Sequence, residues 1–255
     1  MFNCEIVHKQ HLNFEIMSST SEKGHAKNVA NFRIIIDFAS GYGPAYNPSN
    51  PALAIPALEI KWDKAKLQLK AVKDTKEPFD SKTGERQLLF KPLRPLATKI
   101  INSLIAQQAP STVVKDARTI VRKLTGKRAK ELTPEEEENK ISVSQQSYDR
   151  LVDNFEELIV LAQTETNYNP NEDDLKIVNL QGYHSLLDEK NNQVKAIYVP
   201  YSNAMISRDA ELYNEDSGLV DLAFEVKNYV KSVFGAASPQ YRQISGLVFS
   251  RPKEE

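Results

Sequence analysis

A tripeptide that returns 122 positions later sets the strongest limit on how this 255-residue chain folds. Tyr46-Asn47-Pro48 recurs as Tyr168-Asn169-Pro170, and the same offset carries Leu53, Ile55 and Leu58 onto Leu175, Ile177 and Leu180. At an offset of 123, Asn31-Phe32 falls on Asn154-Phe155, Ile35 and Ile36 on Leu158 and Ile159, Phe90 on Tyr213, and Leu96 on Leu219. One shared tripeptide is chance, whereas a train of matches with single-residue slips is the signature of an internal repeat. The reading is a tandem duplication: an N-terminal tail over 1–27, a first copy over 28–128, an acidic linker over 129–145 and a second copy over 146–255.

Each copy reads as helices. Leu58, Trp62, Ala65, Leu69 and Val72 follow a 4-3-4-3 spacing, and Val29, Phe32, Ile36 and Ala39 lie on a similar stripe. In the second copy Leu151, Phe155, Leu158 and Ala162 and then Leu219, Leu222, Val226, Tyr229 and Val233 repeat the pattern. A helix with one apolar stripe buries it against neighbours. The expected architecture is therefore all-α: two tandem, internally duplicated bundles of about four helices each. Trp62 on such a stripe reads as core. Pro92 and Pro95 in the first copy, and Gly218 at the matching place in the second, predict a break before the third helix. A fourth helix is expected from Ser111 to about Leu124, stopped by Gly126, and from Ser238 to about Phe249.

The Tyr-Asn-Pro segments sit between the first and second helices. Proline disfavours helical geometry at the residue before it, so Asn47 and Asn169 are expected in loops. Asn171 then reads as an N-cap, with Glu172, Asp173 and Asp174 in the first turn; Ser49 or Asn50 plays that part before Pro51. Tyr46, Asn47, Tyr168 and Asn169 form a candidate paired recognition loop, although turn chemistry alone also accounts for these residue types. In the linker, Pro134 followed by Glu135 to Glu138 opens a short helix or forms a solvated charge run. A metal site needs oxygens converging from several directions, which one run does not supply.

Several runs together resemble a bacterial family of internally duplicated helical proteins. They are Ala30-Asn31-Phe32, Tyr46-Asn47-Pro48-Ser49-Asn50, Phe90-Lys91-Pro92-Leu93, Ala117-Arg118-Thr119-Ile120-Val121-Arg122-Lys123-Leu124 and Ser238-Pro239-Gln240-Tyr241. The resemblance spans roughly residues 24–250. It implies the duplicated helical architecture and brings no activity, cofactor, partner or site residue. The first sixteen residues fall outside it, and Met17-Ser18-Ser19-Thr20 reads as an alternative polar start.

Composition removes whole classes of chemistry. Nine glycines are about half the usual share of roughly 7%, and neither a G-x-G-x-x-G nor a G-x-x-x-x-G-K-[ST] phosphate loop occurs. A single cysteine, Cys4, excludes an intramolecular disulfide framework. The soft-ligand grouping Cys4-x3-His8-x2-His11 supplies three ligands where a structural zinc site needs four. Glu5-x-x-His8 and Glu22-x-x-His25 match the letters of a di-iron motif but lie in or beside the tail, not on paired core helices. His184 falls opposite Trp62 in the repeat and reads as a half-buried structural residue. No G-x-S-x-G or H-E-x-x-H presents a nucleophile or a metal. The expectation is accordingly no catalytic residue, no cofactor and no metal. No membrane span is expected, and the segment Met1 to Thr20 lacks the apolar run of a secretory signal, so a cytoplasmic setting is expected.

Charge is the feature that points to a partner. Residues 1–128 hold 21 Lys+Arg against 11 Asp+Glu, and residues 129–255 hold 12 against 23. Two copies of one fold carry opposite charge, which solubility does not require. Lys115, Arg118 and Arg122 stand opposite an apolar face, with Lys127 and Arg128 following, and form a candidate polyanion-binding face. Taken together, these readings favour a non-enzymatic helical binding or structural module with a protein partner or self-association. Two alternatives stay open: a nucleic-acid-associated protein using the basic copy, and an enzyme whose site is assembled from scattered residues. The opposite charges are expected to meet in a polar, salt-sensitive contact between the copies.

Overall fold

Helix ends in this chain are set by a few residues whose backbone cannot continue a helix. A computed structural model describes residues 20–126 and 146–252, and among them it contains helices and no strand. In chain order they are α1 (Thr20–Gly41), α2 (Ile55–Phe90), α3 (Leu93–Ala106), α4 (Ser111–Thr125), α5 (Tyr148–Thr164), α6 (Ile177–Tyr213), α7 (Leu219–Phe234) and α8 (Pro239–Ser245). Short 3-10 turns at Gly43–Ala45, Pro51–Leu53 and Asp173–Leu175 lie in the loops that follow α1 and α5. None of these helices is long and apolar enough to cross a membrane. Cys4, His8, His11, Met17, Lys127, Arg128 and the 129–145 segment lie outside the described residues.

The proline and glycine signals act where chemistry says they should. α2 stops at Phe90 and α3 starts at Leu93, with Pro92 as its N-cap residue. α4 ends on Gly126, whose φ of 71° is left-handed and whose N–H bonds the carbonyls of Arg122 and Lys123. Between α6 and α7 the backbone folds so tightly that a side-chain carbon at Gly218 would sit 2.5 Å from the Asn214 carbonyl oxygen. The second helix of each half is long: α2 has 36 residues and runs through Pro78, and α6 has 37 residues and runs through Pro200. One sequence expectation needs correction. Asn171 is not a helix cap, because the acids after it form the 3-10 turn Asp173–Leu175 and α6 begins only at Ile177. Asn50 does cap, but it caps the 3-10 turn, its Oδ1 accepting from the Ala52 N–H at 3.0 Å.

The chain packs as two units, and their bounds differ from the ranges 28–128 and 146–255 expected from sequence. One unit holds Met1–Val72 and Ala204–Glu255; the other holds Lys73–Asn203. In the first, Val29, Phe32, Ile35 and Ile36 of α1 and Leu58 and Ala65 of α2 share a core with Leu212, Leu219, Val226 and Ile244. In the second, Leu93, Ile100 and Leu104 of α3 and Ala117, Val121 and Leu124 of α4 share a core with Leu151, Phe155, Leu158, Leu180 and Leu187. The ranges 28–128 and 146–255 are therefore not the packing units. The physical reason is that an amphipathic stripe demands burial without naming the helix that buries it.

The same mixing changes the meaning of the charge split. Within the second unit, residues 73–126 carry 11 Lys+Arg against 5 Asp+Glu, and residues 146–203 carry 4 against 10. These oppositely charged segments meet through an apolar core, with ion pairs only at its edge, such as Lys99–Asp174 at 2.7 Å and Lys123–Glu157 at 3.1 Å. The expected polar, adjustable contact between the halves is thus replaced by shared core.

Candidate functional site

The loops that carry the repeated tripeptide are fastened inward. Tyr46 donates its hydroxyl to the Leu53 carbonyl at 2.8 Å, and Tyr168 donates to the Leu175 carbonyl at 2.9 Å. Both rings are 8% exposed, and burial raises both phenols, that of Tyr168 to about 12. The Asn47 N–H donates to the Tyr229 hydroxyl at 3.0 Å, and the Asn169 N–H donates to Gln107 Oε1. Tyr46, Asn47, Tyr168 and Asn169 thus tie each loop to its own unit, and the two tyrosine side chains are not presented to a partner.

The two described histidines lie beside aromatic rings. His25 is buried, its Nδ1 lying 2.6 Å from the Tyr213 hydroxyl, and His184 is half-buried with its ring 6.4 Å from that of Phe155. Trp62 is half-buried against the first unit's core, with Arg33 and Lys66 over its ring at 5.0 and 4.1 Å. Among the described residues no three His, Cys, Asp or Glu side chains converge as a metal site.

A wide surface concavity is built by α4 and α5. Ser147 starts α5, its side chain accepting from the Arg150 N–H at 3.3 Å. Gln146 then joins the two helices: its Nε2 donates to the Lys123 carbonyl at 2.6 Å, and its Oε1 accepts from Arg94 at 2.6 Å. Ala117, Val121 and Leu124 of α4 and Leu151, Phe155, Leu158 and Ala162 of α5 face the core. Beside that seam the two helices border a groove of about 670 Å³. Its floor is apolar: Val113 and Ile120 on α4, Val160 and Leu161 on α5. Asp116, Glu156, Glu157 and Glu165 line its edges. Val160, which lines the groove on the outer side of α5, is 52% exposed.

A helix pair in the other unit borders a narrower cleft. There α1 and α8 bound a smaller cleft of about 290 Å³, lined by Asp37, Phe38, Gly41, Tyr42, Pro239, Gln240 and Gln243. Tyr42 follows the last residue of α1 as Glu165 follows the last residue of α5. Its ring packs against Phe234 with centroids 5.3 Å apart, and its hydroxyl donates to the Gln240 carbonyl at 2.9 Å, so it straps α1 to α8. Burial raises the Tyr42 phenol above its usual range. At the corresponding place beside α4, Glu165 reaches no such partner on the opposite helix; its Oε1 accepts from the Asn167 N–H.

The basic residues singled out from sequence are on α4, but not in the groove. A helix turns about 100° per residue, which places Lys115, Arg118 and Arg122 roughly on the far side of α4 from Val113, Asp116 and Ile120. Lys115 and Arg118 are exposed, and Arg122 is half-buried with a guanidinium N–H donating to Thr119 Oγ1 at 3.1 Å. The groove itself was missed by stripe counting because Val160 lies off the Leu151-Phe155-Leu158-Ala162 stripe. That was the available signal: an apolar residue off the buried face, close behind two glutamates. Comparison with protein-family models, with curated proteins and with solved structures finds no match.

Proposed function

We propose that this chain is a non-enzymatic helical binding module, and that the α4–α5 groove is the surface it offers to a protein partner. The observation that carries the reading is the groove itself: Val113, Ile120, Val160 and Leu161 give an apolar lining to a cleft of about 670 Å³, against about 290 Å³ for the cleft that Tyr42 borders between α1 and α8. Contiguous apolar surface left open in a cleft is a mark of an interaction site. The reading includes an origin by duplication, in which each packed unit takes one part from each copy. Support comes from the paired Tyr46–Leu53 and Tyr168–Leu175 hydrogen bonds, 122 positions apart. It also includes membership of the bacterial family that the chain resembles and a cytoplasmic setting, consistent with the use of a single cysteine.

The test is amide-shift mapping on the isotope-labelled full chain with two helical probe peptides, one Leu/Lys and one Leu/Glu. Shifts confined to residues of α4 and α5, with either peptide, support the module. No shift there with either peptide refutes it. The second reading, nucleic-acid association, draws on the exposure of Lys115 and Arg118. It predicts DNA or RNA binding by fluorescence anisotropy that weakens steeply with salt and is lost in Lys115→Glu/Arg118→Glu.

A further inference from the structure

The groove's edges say which kind of partner the floor is meant for. Four carboxylates surround it, Asp116 on α4 and Glu156, Glu157 and Glu165 on α5. Among the described residues, the ion pair at this rim is Lys123 with Glu157 at 3.1 Å. Covering the floor with a neutral or acidic partner would strip water from Asp116, Glu156 and Glu165 without returning a hydrogen bond or an opposite charge, which is costly. A cationic partner returns both.

Shape narrows the choice further. The floor residues Val113 and Ile120 are two turns apart on α4, and Val160, Leu161 and Thr164 line the facing side of α5. Two helices packed side by side leave a trough along their seam that a third helix can fill, its apolar stripe between their ridges. Resting on the binding-module reading above, we propose that the α4–α5 groove docks a cationic amphipathic α-helix from a partner protein. Leucine-type side chains of that helix would lie on Val113, Ile120, Val160 and Leu161, and its lysines or arginines would meet Asp116, Glu156 and Glu165.

Other occupants fit less well. Residues 1–19 and 127–145 of this chain each carry a net charge of −1, so neither complements the rim. The basic face of a second copy presents Lys115, Arg118 and Arg122, but the apolar side of that same α4 is committed to its own core through Ala117, Val121 and Leu124. It would bring cations and nothing for the floor.

The experiment is fluorescence anisotropy of a labelled helical Leu/Lys peptide with leucines at helical spacing, titrated with the full chain. A Leu/Glu peptide of the same pattern runs in parallel. Two variants separate floor from rim: Val160→Glu, which spoils the apolar contact while adding acid, and Glu156→Lys/Glu165→Lys, which reverses the rim and keeps the floor. Both sites are on the surface, and unchanged thermal melts show that the variants fold. The expected result is saturable Leu/Lys binding that weakens at least about tenfold in each variant, with no Leu/Glu binding to the unaltered chain. Equal or tighter Leu/Glu binding overturns the cationic partner while leaving the binding module standing. Undiminished Leu/Lys binding by Val160→Glu reduces the effect to surface charge and overturns groove docking. Binding of neither peptide removes the module reading itself.

Discussion

Replacing Phe155 by alanine tests the central structural finding, that each core is assembled from both sequence halves. Phe155 is fully buried on α5 and belongs to a core shared with Leu93, Ile100 and Leu104 of α3 and Ala117, Val121 and Leu124 of α4. Truncating a buried phenylalanine costs about 3–5 kcal/mol through lost transfer energy and the cavity left behind. A domain is stable by roughly 5–15 kcal/mol, so the protein should stay folded while local opening becomes easier. At about 1.4 kcal/mol per decade, amides that exchange through opening of this core should lose two to three orders of magnitude of protection. Hydrogen exchange read by peptide mass spectrometry should show the loss in residues 93–106, 111–125 and 148–164, with a much smaller change in 24–41 and 219–234. If the halves were self-contained bundles, the loss would instead fall on 148–164 and 219–245 and spare 93–125. That second pattern would refute the shared core.

Four further outcomes follow from named contacts. Cleaving an engineered protease site between Pro134 and Glu135 should leave the two pieces together in native mass spectrometry, because both cores hold residues from each side of the cut. Tyr168→Phe should lower stability by about 1–3 kcal/mol in chemical denaturation, since it leaves the Leu175 carbonyl without the donor that reaches it at 2.9 Å. Burial raises the Tyr168 and Tyr183 phenols to about 12. Folding thus favours their neutral forms, and the resulting stability is complete below about pH 10 and lost as pH climbs toward 12. An ultraviolet absorbance titration should show Tyr168 and Tyr183 ionising only well above the usual phenol value of about 10, together with alkaline unfolding. Finally, Glu165→Tyr should reproduce at α4–α5 the strap that Tyr42 makes at α1–α8, and the Leu/Lys probe should then lose affinity at least about tenfold.

Helix identity and helix ends were legible in the chain itself. The stripes Val29-Phe32-Ile36-Ala39 and Leu151-Phe155-Leu158-Ala162 name residues that are buried in the structure, and Pro92, Gly126 and Gly218 mark real helix boundaries. These signals are local: a stripe follows from 3.6 residues per turn, and a terminus follows from the backbone freedom of one residue. The candidate groove was only faintly legible, because Val160 is an ordinary surface valine until α4 is placed beside it.

The pairing of the helices could not be read in the same way. Because Phe32 and Phe155 occupy matching stripes, a sequence pattern cannot say whether either buries its face within its own copy or with the other. The continuation of α2 through Pro78 and of α6 through Pro200 was hidden for a related reason, since proline's local cost argues for a break that the folded chain does not make. Sequence alone therefore determined which faces must be buried and where several of the helices end. Only tertiary packing decided which helices bury one another, and so where an apolar face would be left open, because burial is a property of the surface a residue meets.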